Sequence, residues 1–141
     1  NNFTPTKTGK ANFSVNKPSE IKLEENQFLM MTVRTHDQYN TTIYGLDDRY
    51  RGILNERRVI LMNEKDMKSF NLKKLDLVDL TSHFKKEERE AKGFLVIPYD
   101  IPKKCTATYF PEANVLVPLK SKADFSNTPT SKTVIITIKK R

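Results

Sequence analysis

Directly after an apolar Phe-Leu-Met-Met run, residues 32–42 read Thr-Val-Arg-Thr-His-Asp-Gln-Tyr-Asn-Thr-Thr. A stretch this rich in donors and acceptors beside a core needs partners, because buried polar groups are costly when unpaired. Arg34 offers a planar five-donor fork suited to phosphate, and His36, Gln38, Asn40, Thr41 and Thr42 add neutral donors and acceptors. Such a set suits a polar ligand that carries a heterocycle and a pyrophosphate. Asn, Thr and Asp are also ordinary turn residues. On residue chemistry alone, a ligand site and a self-satisfied turn stand level.

A second polar cluster comes late, in Cys105-Thr-Ala-Thr-Tyr-Phe-Pro-Glu-Ala-Asn114 and Ser126-Asn-Thr-Pro-Thr-Ser-Lys132. Asn114 has an amide that could read a ring edge, and Lys132 could neutralise a phosphate as a point charge, although a solvated strand-end lysine is the commoner role. The catalytic inventory is thin. His36 and His83 are the only histidines, Cys105 is the only cysteine, and no HExxH or GxSxG motif occurs. One Cys excludes an internal disulfide and leaves a thiolate metal site or iron–sulfur cluster three ligands short. The four glycines, at 9, 45, 52 and 93, cannot form a Gly-rich phosphate loop. Phosphate binding would therefore rest on side chains and isolated amides.

The elements that must position these groups are short. Over 141 residues the chain is 37% hydrophobic and 30% charged, with eight Phe and five Tyr, enough for a modest core in one domain. Apolar runs of strand length fall at 27–35, 58–62, 75–81, 94–98, 115–118 and 133–139. Residues 47–54 and 64–70 read as short helices, the second capped by Asn63, and the mixed-charge run 85–92 reads as a solvated hairpin or loop. Many short strands with a few short helices imply a mainly β domain, most economically a closed barrel without exposed edges. No apolar run approaches the roughly 18 residues that span a bilayer, and no signal-peptide pattern opens the chain. A soluble cytoplasmic setting is the expectation, with no membrane partner.

The formal net charge is +8, from 25 Lys and Arg against 17 Asp and Glu. Residues 1–26, 27–102 and 103–141 contribute +1, +1 and +6. That asymmetry raises a second reading, a basic β-barrel that binds single-stranded nucleic acid. Tyr109, Phe110 and Phe125 would then stack bases beside Lys103, Lys104, Lys120 and Lys122. It ranks lower, because these aromatics lie among apolar residues.

Four ordered blocks break the tie: TPTKTGKANF at 4–13, TVRTHDQYNT at 32–41, ATYFPEANVLVP at 107–118 and SNTPTSKTVIITI at 126–138. Together they resemble the C-terminal molybdopterin-dinucleotide-binding domain of molybdopterin oxidoreductases, in particular formate dehydrogenase-like alpha subunits, over essentially the whole chain. The resemblance implies a double-psi β-barrel of the aspartate-decarboxylase-like type, with residues 1–26 as a lead-in that packs on the barrel or is partly disordered, and 27–141 as the barrel domain. It implies the bis form of molybdopterin guanine dinucleotide, with molybdenum or tungsten, as cofactor. The T-x-R motif of the family falls on Thr32 and Arg34, its aromatic and small polar residues on Tyr39, Asn40 and Thr41, its late Asn on Asn114 and its late Lys on Lys132. With Thr35, His36, Gln38 and Tyr109, these make the expected cofactor-binding set. Many members have His where this chain has Gln38, which keeps hydrogen bonding but removes an ionisable group.

By the same resemblance the metal ligand, the substrate pocket and any iron–sulfur cluster belong to preceding domains of the same polypeptide, with room for an electron-transfer subunit. The full-length enzyme would carry out a two-electron oxidation of a small substrate such as formate. This chain would have no catalytic or metal-ligating residue and would be inactive alone. A third reading is an interaction domain that keeps the fold without the cofactor.

Overall fold

Val59–Met62 is buried at all four positions. A strand that is apolar on both faces must be covered on both, and this one is the pivot of the architecture. Ile60 and Met62 face one core with Phe28, Met30, Val78, Leu80, Phe94, Val96, Val134 and Ile136. Val59 and Leu61 face a second, smaller core with Ile53, Ala107 and Tyr109. The structure is a computed structural model that describes residues 6–18, 20–39 and 44–141.

Six strands carry the fold: β1 (Gln27–Val33), β2 (Val59–Met62), β3 (Leu77–Phe84), β4 (Glu87–Pro98), β5 (Cys105–Tyr109) and β6 (Val134–Lys140). They close into a barrel in the order β1-β5-β2-β4-β3-β6. The pairs β1/β5 and β2/β4 are parallel and the other four are antiparallel. Exchanging β1, β2 and β3 for β4, β5 and β6 maps this order onto itself read in reverse, so the connectivity has a pseudo-two-fold. The β1 to β2 connection passes over β5, and the β4 to β5 connection passes over β2. These two interlocked crossings are the double-psi arrangement. The barrel has no free edge.

One helix, α1 (Glu64–Ser69), follows β2, and the Asn63 side chain caps it by accepting from the Lys65 amide at 2.9 Å. Three expectations change. Residues 47–54 form a tight turn rather than a helix: Asp48 and Ile53 exchange backbone hydrogen bonds at 2.7 and 3.0 Å, and Gly52 sits at φ +66°. The Asp48 carboxylate takes the Tyr50 and Arg51 amides, which offers the backbone an alternative to a helical turn. Residues 115–118 do not form a strand; Asn114–Leu116 is a 3-10 turn. The strand is instead Cys105–Tyr109, whose Thr, Ala and Tyr residues lack a long apolar run but suit a pleated surface. In the run 85–92, only Lys85 and Lys86 form the hairpin turn, with Phe84 opposite Glu87, and β4 begins at Glu87.

Residues 7–18 are exposed, and Phe13 and Val15 are almost wholly so. No helix among the described residues is long and apolar enough to cross a membrane.

Burial sets the scale of individual contributions. Phe94 is fully buried and Phe125 fully exposed. Phe94→Ala should cost about 3–5 kcal/mol in urea unfolding, and Phe125→Ala should stay within about 0.5 kcal/mol of the parent. Equal costs would contradict this core assignment.

Candidate functional site

The parallel pair β1/β5 brings two strand ends together, with Thr32 opposite Thr108 and Val33 opposite Tyr109. The chain leaves β5 at Phe110, whose amide donates to the Val33 carbonyl at 2.9 Å. On the other side of β1, the Thr32 amide donates to the Ser131 carbonyl at 2.9 Å, just before β6. These three segments and the 47–53 turn border a cleft of about 730 Å3 lined by Thr32, Val33, Arg34, Arg51, Phe110, Ser131 and Lys132. Three of the seven lining residues are cations and none is a carboxylate.

Arg34 is exposed, and its guanidinium has no hydrogen-bond or ion-pair partner among the described residues. Lys132 Nζ donates to the Thr32 carbonyl, which aims one donor into the barrel wall and leaves its charge unbalanced by any carboxylate among the described residues. Arg51 pairs with Asp48. The cleft therefore carries a net positive charge from Arg34 and Lys132, in a geometry that suits an anion. A larger cleft, about 820 Å3, lies at Glu24, Glu25, Asn26, Asp66, Ser69, Phe70, Lys103 and Lys104. It mixes signs, and Asp66 already accepts from the Lys104 amide at 2.6 Å. It makes a poorer anion site.

The remaining expected residues fall into three groups. His36 and Tyr39 are exposed, and the His36 ring lies 4.2 Å from that of Tyr50. Asn114 is exposed in a separate depression with Arg89, Val115, Val117, Pro118, Leu119 and Pro129; Pro129 belongs to the same loop that brings Ser131 and Lys132 to the cleft. Asn40 and Thr41 lie outside the described residues. Thr35, Gln38 and Tyr109 are buried and face inward.

Thr35 and Gln38 serve Arg57, which is 3% exposed. Arg57 Nε donates to Glu112 Oε1 at 2.7 Å, Nη1 to Thr35 Oγ1 at 3.3 Å and to the Gly45 carbonyl at 3.4 Å, and Nη2 to Gln38 Oε1 at 3.1 Å and the Phe110 carbonyl at 2.9 Å. The Tyr44 ring covers the guanidinium at 4.0 Å. Every donor of the fork is used. Tyr109 donates its hydroxyl to Asp48 Oδ2 at 2.7 Å. It backs the cleft from beneath the 47–53 turn, and this placement also removes it from any base-stacking platform with Phe110 and Phe125.

Burial works to raise the Asp48 carboxyl, but hydrogen bonds from Tyr109 and Arg51 outweigh it and hold the group below the usual carboxylate range. Burial and the same carboxylate push the Tyr109 phenol up.

Arg51, Ser131 and Phe110 are not in the expected cofactor-binding set. The acids before Arg51 suggest a helix over 47–54; the signal against it is Gly52 after an Asp-Arg-Tyr-Arg run, a turn pattern. Among the described residues, no group of three or more His, Cys, Asp or Glu could hold a metal ion.

Residues 28–135 match the molybdopterin dinucleotide binding domain family. The chain belongs to that family. Its dinucleotide-binding domain is 48% identical over 136 residues to uncharacterized oxidoreductase Rv2900c of Mycobacterium tuberculosis, covering 93% of this chain and 18% of that protein. It is 38% identical over 137 residues to the protein YdeP of Escherichia coli, covering 92% of this chain and again 18% of the relative. The chain thus spans under a fifth of the length of these curated relatives. The donor set of the cleft, cationic and free of carboxylates, fits a dinucleotide of the molybdopterin type.

Two outcomes follow for the molybdopterin dinucleotide binding domain. Glu112→Ala leaves the Arg57 charge buried without its counterion and should cost about 3–5 kcal/mol in chemical unfolding; a loss under about 1 kcal/mol would contradict the pairing. Asp48, whose folded value is depressed, contributes stability that is fully present above its unfolded value of about 3.9 and lost as pH falls through the lower folded value. The stability difference between the parent and Asp48→Asn should therefore be constant from about pH 5 to 8 and shrink below about pH 4. A difference that persists unchanged at low pH would assign the loss to something other than the carboxylate.

Proposed function

We propose that this domain binds molybdopterin guanine dinucleotide as the C-terminal part of a formate dehydrogenase-like oxidoreductase, a cytoplasmic enzyme whose preceding domains hold the metal ligand and substrate pocket. The observation that carries the reading is the cleft at the end of β1: among the described residues the Arg34 guanidinium has no partner and Lys132 no carboxylate, and no acid lines the cleft, in a chain of the dinucleotide-binding family.

Arg34 and Lys132 neutralise the diphosphate, Arg34 as a planar fork and Lys132 as a point charge. The Ser131 hydroxyl and the amides of the loop add neutral donors. Asn114, in the neighbouring depression formed with Pro129, reads the edge of a ring by its amide, and Asn40 is assigned the same type of contact from the sequence. When bound in its bis form, the cofactor supplies molybdenum or tungsten redox chemistry for oxidation of a small substrate such as formate. This chain contributes binding, orientation and electrostatics. Any electron-transfer subunit or iron–sulfur cluster belongs to other parts of the assembly, and the domain alone is inactive.

Metal and pterin content of the full-length protein tests this reading. Arg34→Ala and Lys132→Ala each remove a charge-assisted contact of about 1.5–3 kcal/mol, and cofactor occupancy should fall under limiting cofactor supply. Asn114→Ala should lower it less. Unchanged occupancy in all three variants would sink the assignment.

A further inference from the structure

Arg51 reaches the cleft from a turn closed by the Asp48 and Ile53 backbone pair, and side-chain bonds fix its guanidinium within that turn. The Asp48 carboxylate supplies them. It accepts from the Tyr50 amide at 3.2 Å, the Arg51 amide at 3.3 Å, the Tyr109 hydroxyl at 2.7 Å and Arg51 Nη1. The carboxylate is fully buried and Tyr109 is fully buried beside it. Arg51 Nη1 also donates to the Arg34 carbonyl at 3.2 Å. Both hydrogens of Nη1 are thereby used.

Nε and Nη2 are different. Neither donates to a carboxylate or a carbonyl among the described residues; the guanidinium also lies against the Tyr109 hydroxyl, and the Arg51 side chain retains 24% exposure. Three N–H donors therefore remain, two of them parallel along one edge of a planar group whose opposite corner is tethered. That edge matches two oxygens of one phosphate. Asp48 does not cancel this capacity, because besides the Arg51 guanidinium its oxygens are engaged on the buried side by three neutral donors, the Tyr50 and Arg51 amides and the Tyr109 hydroxyl. The guanidinium has little rotamer freedom left to lose on binding.

We propose that Arg51 is a phosphate-binding residue of the cleft, its Nε and Nη2 edge taking two oxygens of one phosphate of a diphosphate, and that Asp48 and Tyr109 are the pair that position it. This rests on the reading of the cleft as a diphosphate site and adds to it a third cation with a buried tether. Arg34 and Lys132 then take the other phosphate. A diphosphate binds better than a single phosphate, because only the diphosphate engages both sets.

Calorimetric titration of the chain with inorganic pyrophosphate and with orthophosphate tests it, with circular dichroism to verify folding. The wild type should prefer pyrophosphate. Arg51→Lys keeps the charge but loses the fork, and should weaken pyrophosphate roughly tenfold while affecting orthophosphate less. Asp48→Asn and Tyr109→Phe should weaken pyrophosphate by smaller factors, with Arg51→Lys adding little on top of Asp48→Asn. A purely structural role for the pair would lower the melting temperature and leave the affinity of the folded protein unchanged, which would overturn the positioning claim. Wild-type affinity in folded Arg51→Lys, with Arg34→Ala weakened, would overturn the role of Arg51 and leave the cleft reading intact. Pyrophosphate affinity unchanged in Arg34→Ala and Arg51→Lys alike, or absent in the wild type, would overturn both.

Discussion

A buried guanidinium is the constraint around which the functional end of this barrel is arranged. Arg57 stands just ahead of β2, nearly sealed from water, where an unpaired charge would cost several kcal/mol. Its fork can be satisfied only if the 35–38 segment, the chain at Gly45 and the Phe110–Glu112 turn converge on it. These segments come from the connection between β1 and β2 and from the end of β5. Their convergence fixes where Arg34 leaves β1 and where Phe110 leaves β5, and so sets two walls of the cleft. Glu112 neutralises the charge; the other acceptors complete the hydrogen bonding. Losing any one segment leaves the charge short of partners, which makes the arrangement cooperative.

The barrel explains why such a hub is needed. In a double-psi order, the β1 to β2 connection must cross β5 before β2 can pair with β4. A crossing connection has no strand ladder to satisfy it. In this chain the ladder is replaced by side chains: Arg57 at its end, and Asp48 in its middle with Tyr109 beneath. Two ionic nodes, one around Glu112 and one around Asp48, thus tie a long connection to the barrel. Of the three cations that line the cleft, Arg34 and Lys132 are the ones without a carboxylate among the described residues. Internal charges hold the structure and the outer ones remain available to a ligand.

The legibility of all this in the sequence follows the physics of each signal. Apolar runs at β1, β2 and β6 announced their strands, since burial of one or both faces requires them. β5 was hidden because its residues, Cys-Thr-Ala-Thr-Tyr, are polar or small although the strand is central. Thr106 and Thr108 are buried there against expectation from type alone. Residues 47–54 carried a helix-like pattern of acids followed by apolar positions, and only the Asp48 side chain and Gly52 decide for a turn. At the site, Thr32, Arg34 and Lys132 do meet across 100 residues of sequence, a juxtaposition that no local pattern could give and that the ordered blocks supplied. Residue type could not separate Arg34 from Arg57, or Tyr39 from Tyr109. One of each pair is exposed and the other is buried, and burial is a property of the closed barrel.

We read the cleft framed by β1, the turn at Asp48 and the loop before β6 as an anion site, from its net positive charge. Diffraction from crystals of the chain soaked in tungstate, a tetrahedral dianion of phosphate shape, tests it most directly through the anomalous signal of the metal. An anomalous peak is expected within hydrogen-bond reach of Arg34, Arg51 and Lys132, displaced by added pyrophosphate. A map with that cleft empty, or with tungstate only at Lys103 and Lys104, would contradict it.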